Sequence, residues 1–171
     1  MHLYKQTKWL LLIFACSLIA SNALSQSVSE KQGISVSGEV TKAISLKAAD
    51  ISTLKHIHVK AKDKDGAIHT YSGVPLITIL EQAGVSLGSQ LKGDNLSNFI
   101  LINAADGYEV LFSLAEVDPE FTDRTILLAD KQDGKPLPTG IGPYRIVIPA
   151  EKKHARWIRR VVSIQVLSAK Q

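Results

Sequence analysis

The sequence predicts an α+β fold that is mostly β, and three observations lead there. Short apolar or alternating runs recur along the chain, among them Ile57, Val59 and Ala61, then Phe99 to Ile102, Ile126 to Ala129, and Val161 to Val166. Turn signals separate them at Lys64-Asp65-Gly66, Ala105-Asp106-Gly107 and Asp133-Gly134. Helical periodicity is confined to brief segments that do not alternate with the strands, which argues against a doubly wound sheet. Roughly eight short strands and two or three short helices are expected, in mixed sheets.

The chain has 171 residues, and its first stretch reads as an export signal. Lys5 and Lys8 make a positive start, Trp9 to Ala20 is apolar, and Ser21-Asn22-Ala23 and Ala23-Leu24-Ser25 offer small residues for cleavage. The apolar run is shorter than the ~18 residues a spanning helix needs. Residues 1–25 are therefore assigned to a signal peptide and 26–171 to a single domain of an exported, periplasmic protein, cut near residue 23 or 25. An uncleaved N-terminal anchor is the alternative. Cys16 offers a lipidated N-terminus, against which the bulky Phe14 and the apolar residues up to Ala20 count.

Ser27 to Gln32 is a polar leader. Ile34, Val36 and Val40 around Gly38 read as a first strand with a bulge, and Leu46 to Leu54 as one or two helical turns. Ile57 to Lys62 and Ala67 to Tyr71 form a hairpin with one wet face. Ser72-Gly73-Val74-Pro75 starts a helix whose apolar face is Leu76, Ile79, Leu80 and Ala83, and Gly84 ends it. A polar loop from Gly88 to Ser97 leads to a central strand at Phe99 to Ile102, and Tyr108 to Phe112 returns beside it. Ser113 and Glu116, three residues apart, suit a capped helical turn. Ile126 to Ala129 is the next strand, Arg145 opens another, and Val161 to Val166 closes the domain.

Composition excludes several functions. The net charge is +4, and removal of Lys5 and Lys8 with the signal leaves +2, too near neutral for the broad basic face of a nucleic-acid binder. Basic residues do crowd from Lys152 to Arg160. No cysteine follows Cys16, so the domain has no disulfide, thiolate nucleophile or thiolate metal ligand. His56, His58 and His69 fall on one hairpin without a carboxylate at ligand spacing, and read as solvated side chains rather than a metal centre. There is no nucleophile elbow, and Gly140-Ile141-Gly142 leads into a proline and a strand instead of a phosphate-binding helix.

The segment from Thr125 to Pro149 is where chemistry concentrates. Pro136, Pro138 and Pro143 stiffen a loop in which Gly140 and Gly142 allow close approach, and Arg145 follows at once. A guanidinium beside such a loop suits an anionic or planar, hydrogen-bonding ligand. Arg145, Arg156, Trp157, Tyr144 and Asp106 form the candidate site. Trp157 or Tyr144 would stack on a ring, and Asp106 or Glu116 would accept hydrogen bonds from its edge.

The runs Leu127-Leu128-Ala129, Asp133-Gly134-Lys135-Pro136-Leu137-Pro138, Gly142-Pro143-Tyr144-Arg145-Ile146-Val147-Ile148-Pro149 and Arg156-Trp157 together resemble the molybdopterin-binding domain of sulfite-oxidase-like oxidoreductases. Weaker likenesses run from about Gly38 to Val166 and include Gly73-Val74-Pro75-Leu76 and Asp106-Gly107-Tyr108. The resemblance implies the sulfite-oxidase-like fold, with Arg145 and Arg156 contacting a pterin cofactor. It also exposes departures. Arg156 replaces the usual Lys, and Gly140 stands where a His is common. The cysteine that holds molybdenum in the family has no counterpart. Short exported relatives without that cysteine are similar to periplasmic pterin-binding regulators, whose partner is a membrane enzyme that makes or degrades cyclic di-GMP. The expectation is therefore a non-catalytic protein that binds a reduced pterin or pyranopterin without molybdenum and signals to such a partner. The alternatives are a molybdopterin-dependent oxidoreductase with an atypical metal ligand, and a ligand-free interaction module docking through Lys152 to Arg160. On the leading reading, Arg145→Ala abolishes binding and spares the fold.

Overall fold

The structure is a computed structural model that describes residues 33–149 and 151–170; the expected signal and polar leader lie outside the described residues. Ten strands, two α-helices and four short 3-10 turns are present among the described residues. One sheet takes β1 (Ile34–Gly38), β2 (Ile44–Leu46), β5 (Asn98–Ala104), β6 (Glu109–Ser113) and β10 (Val161–Ser168), in the order β2-β1-β10-β5-β6. The other takes β3 (Ile57–Lys62), β4 (Ile68–Pro75), β7 (Leu127–Gln132) and β8 (Lys135–Pro136) in sequence order, with β9 (Arg145–Val147) also paired to β7. Helix α1 spans Ala48–Thr53 and α2 spans Leu76–Gln82.

The first sheet is mixed, because β1 runs parallel to β10 and the other pairs are antiparallel. Its register lines up Val36, Ile164, Ile102 and Val110 in one row across four strands. All four are buried, while alternate residues such as Ser35 and Leu111 face outward. This is the period-two pattern of a sheet with one wet face, and each such side chain contributes about 1.5–3 kcal/mol through burial. In the second sheet Leu127, Leu128 and Ala129 on β7 and Arg145, Ile146 and Val147 on β9 are all buried. These strands are covered on both faces, which is why they read as continuous runs.

Val161 to Ser168 is the closing strand, as expected, and lies at the centre of its sheet, between β1 and β5. One expectation is corrected. Ser72 to Pro75 is not a helix start but the end of β4, and α2 begins at Leu76. The short strand Ile44–Leu46 was not foreseen; it pairs with β1 at the sheet edge. Gly84 ends α2 as expected, at φ +71, and Thr41 donates from its hydroxyl to the Gly84 carbonyl at 2.8 Å. The foreseen capping box is present, with the Ser113 backbone N–H donating to Glu116 at 3.0 Å.

One irregularity positions the site. Ser72 pairs with Lys131 but Gly73 pairs with Ala129, so Asp130 faces no residue of β4. It is the extra residue of a β-bulge. On the other edge of β7, Leu127 to Ala129 pair with β9 and Lys131 and Gln132 pair with β8, so Asp130 also marks the change of partner there. A Cβ on Gly73 would lie 2.1 Å from the Leu128 carbonyl oxygen, so the bulge requires glycine opposite it.

Candidate functional site

The glycine-rich loop between β8 and β9 walls a cleft of about 670 Å³. Its other lining residues include Asp130, Lys131, Tyr144 and Arg160. That volume falls in the ~300–1,000 Å³ range of small-molecule sites. The loop is held by its own backbone: Leu137 N–H donates to the Asp130 carbonyl at 3.1 Å, Ile141 N–H to the Pro138 carbonyl at 3.0 Å, and Arg160 N–H to the Ile141 carbonyl at 3.0 Å. Tyr144 is buried, and burial followed by the nearby charge of Asp130 raises the pKa of its phenol, so it stays neutral. Asp130 has one carboxylate oxygen 3.2 Å from His56 Nε2, and the other, Oδ1, is buried without a hydrogen-bond partner.

Arg145 lies behind the loop rather than in the cleft, and is 3% exposed. Its guanidinium donates to both oxygens of Asp63, at 2.7 and 3.1 Å, and Tyr71 donates its hydroxyl to the same carboxylate at 2.6 Å. Burial opposes the charge on Asp63, but the hydrogen bonds from Arg145, Tyr71 and the Lys64 backbone outweigh it and hold the carboxyl well below its ordinary pKa. Trp157 is buried beside this pair: the guanidinium carbon lies 5.0 Å from its ring centroid, and Tyr71 and His154 meet it edge-on. Arg145→Ala removes a buried ion-pair partner, so it is expected to cost stability as well as any binding.

Arg156 forms a separate cluster. It donates to Glu116 at 3.0 Å and to Glu151, and its guanidinium carbon lies 4.6 Å from the Phe112 ring centroid. Arg124 also donates to Glu116, at 3.2 Å. Burial opposes the charge on Glu116, and its bonds from Arg156 and the Ser113 backbone lower the pKa nonetheless. Asp106 is exposed and accepts from the Tyr108 backbone two residues on, as a turn aspartate does. With Trp157, His154, Lys64 and Arg159 it borders a smaller cleft of about 260 Å³.

The six predicted residues thus fall in four places. Arg145 and Trp157 are brought together, as are Arg156 and Glu116. Asp106 shares only the smaller cleft with Trp157, and Tyr144 alone borders the larger one. Sequence reading missed Asp130 and Asp63, weighed His56 only as a metal ligand, and took Arg160 only as part of a basic run. A carboxylate directly after the apolar run Leu127-Leu128-Ala129 was the available signal for Asp130; nothing local marked Asp63. Among the described residues the histidines form no metal-binding group: His56 meets Asp130, His69 meets Asp65 and Asp133, and His154 meets the Lys62 carbonyl.

Comparison with known proteins agrees with this architecture. No curated protein matched the chain. The crystal structure of the sulfane dehydrogenase SoxCD from Paracoccus pantotrophus superposes with a TM-score of 0.63 at 18% identity. The match covers 81% of this chain and 39% of that one, so this chain spans well under half the length of the dehydrogenase chain. The oxidoreductase molybdopterin binding domain matches residues 63–171, from Asp63 through the cleft and Trp157 to the end of the chain. The chain belongs to the oxidoreductase molybdopterin-binding domain family, with the sulfite-oxidase-like fold.

Proposed function

We propose that this protein binds a reduced pterin without molybdenum and relays the ligand's presence to a membrane-bound signalling enzyme, as a periplasmic, non-catalytic member of its family. The observation that carries the reading is the cleft of the glycine-rich loop. Tyr144 gives it an aromatic wall, Arg160 and Lys131 give it positive charge, and Asp130 adds a carboxylate to its lining. A reduced pterin has matching parts: a flat pyrimidine ring and an edge rich in N–H donors. An aromatic contact worth about 0.5–1.5 kcal/mol beyond burial, with hydrogen bonds to charge worth about 1.5–3 kcal/mol each, is consistent with micromolar affinity.

The donor set fits the organic part of a molybdenum cofactor better than the metal. No cysteine follows Cys16, and among the described residues no three His, Cys, Asp or Glu side chains gather in ligating geometry. Arg145 and Arg156 then act from behind the cleft. Arg145 fixes β9 and its neighbour Tyr144 through Asp63, and Arg156 ties the turn at Glu116 to the segment that leads to Arg160. The signal-like N-terminus supports export, and a cyclic di-GMP enzyme is the partner class proposed.

A second seat is favoured by one observation: Trp157 Nε1 is buried without a partner, and Trp157 borders the smaller cleft with Asp106. Tyr144→Ala and Asp106→Ala separate the two, since only the variant in the occupied cleft loses affinity.

The test uses protein purified from its own host, denatured, and analysed for released pterin by mass spectrometry and for molybdenum by elemental analysis. Pterin without stoichiometric metal is the expected result. Molybdenum in equal amount with a pyranopterin would overturn the metal-free reading and restore an oxidoreductase.

A further inference from the structure

We infer that β6 is a docking edge for a second copy of this chain: the two β6 strands pair antiparallel about Leu111 and join their sheets into one. β6 is the last strand of its sheet and pairs with β5 alone, so its other edge faces no strand among the described residues. An open edge is a template for another chain, and proteins blunt it with lysine, proline, a bulge or a very short strand. The other edges of this fold are blunted in that way. β2 has three residues, β3 exposes Lys60 and Lys62, and β8 is Lys135-Pro136. β6 has none of these devices. Glu109-Val110-Leu111-Phe112-Ser113 pairs with β5 in unbroken register and carries a single charge, that of Glu109.

The backbone of that edge is open for pairing. The Ala104 N–H donates to the Tyr108 carbonyl at 2.9 Å, which sets the alternation of the β5–β6 ladder. Counted along the register from that pair, Val110 and Phe112 turn their backbone groups toward β5, and Glu109, Leu111 and Ser113 turn theirs to the open side. The Ser113 N–H donates to the Glu116 side chain at 3.0 Å, which closes the end of the strand. Among the described residues, no backbone group bonds those of Glu109 and Leu111 on the open side.

The side chains favour a second copy as the occupant. A two-fold axis at Leu111 sets Leu111 opposite its own copy and Glu109 opposite Ser113, so no like charges meet. The two Leu111 residues then exchange both backbone hydrogen bonds, and each Glu109 N–H reaches the Ser113 carbonyl of the other copy. Leu111 is 51% exposed at the centre of the strand. Leu101 lies beside it on the outward face, and Phe99 and Leu167 fill the next row. None of these four belongs to the buried core, and pairing closes Leu101, Leu111 and their copies into one apolar stripe across the join. Ser37 and Gln165 extend that row without adding charge. One short strand from each copy buries less than the ~1,200 Å² of a standard interface, so the association is weak and depends on concentration.

The experiment is sedimentation equilibrium of the purified protein from about 10 μM to about 1 mM, which covers association as weak as millimolar. A reversible monomer–dimer equilibrium is the expected result. Leu111→Lys sets like charges opposite each other and is expected to weaken the dimer at least about tenfold. Ile68→Lys, at a position 71% exposed on β4 of the other sheet, is expected to leave it unchanged. Amide exchange followed by NMR reads the edge itself and needs no variant. Exchange of the Leu111 N–H is expected to slow as the protein is concentrated, while that of Val110, which faces β5, changes little. A dimer that a folded Leu111→Lys protein retains in full, or one in which Leu111 exchange does not slow, overturns the inference. A monomer at every concentration overturns it too, and leaves the edge to an extended segment of another protein.

Discussion

Arg145 and Asp63 meet through two hydrogen bonds, 2.7 and 3.1 Å long, across 82 positions of sequence. The pair joins the strand after the glycine-rich loop to the turn of the β3–β4 hairpin. Both side chains are largely shielded, at 4% and 14% exposure. Breaking such a pair from one side leaves a buried charge, which costs about 3–5 kcal/mol. Asp63→Ala is expected to lose that much in urea unfolding, and the loss is expected to loosen the cleft by freeing β9. A loss below about 1 kcal/mol would mean that solvent reaches Arg145.

The same pair sets an acid limit. The folded-state pKa of Asp63 lies below its ordinary 3.8, so its contribution is complete above that value and is lost as pH falls from there toward the folded pKa. Stability followed by urea midpoint is expected to drop on acidification below about pH 4, and Asp63→Asn is expected to flatten that limb.

His69 works in the opposite direction. Its ring bridges Asp133 at 2.6 Å and Asp65 at 2.9 Å, and these hydrogen bonds raise its pKa above the ordinary 6.5. Its contribution is complete below 6.5 and is lost as pH rises through the folded pKa. His69→Gln is expected to remove this loss at mildly alkaline pH. The titration of the His69 ring protons by NMR checks the direction of the shift.

Gly73 and Gly66 make a paired test of the bulge. A methyl group on Gly73 meets the Leu128 carbonyl oxygen at 2.1 Å, whereas around Gly66 there is open space and only a positive φ of +85 to satisfy. Gly73→Ala is expected to cost at least about 2 kcal/mol, while Gly66→Asn, which tolerates that backbone, stays within about 0.5 kcal/mol. Thermal melting of the two variants reads the difference.

Much of this fold was legible because its signals are local. The hairpin turns, the Ser113–Glu116 cap and the Gly84 stop each depend on a few neighbouring residues and stand where the sequence put them. The central position of Val161 to Ser168 was not legible, since it depends on a parallel pairing with Ile34–Gly38 at the far end of the domain. The same holds for the site. The glycine-rich loop and Tyr144 were visible in sequence, but the partner of Arg145 is a turn aspartate with no distinguishing context. The bulge at Asp130 exists only through its pairing with β4. Arg156 and Glu116 stood out in sequence as charges, but the ion pairs they form depend on tertiary contacts that a sequence does not display.

The most direct test of the account is a calorimetric titration of the purified wild-type protein with tetrahydropterin in the absence of oxygen, beside Tyr144→Ala. Saturable binding near one ligand per chain, weakened at least about tenfold in the variant, is the predicted result. The absence of heat and of saturation in a folded wild-type protein, or equal affinity in the two proteins, would contradict a pterin site at the glycine-rich cleft.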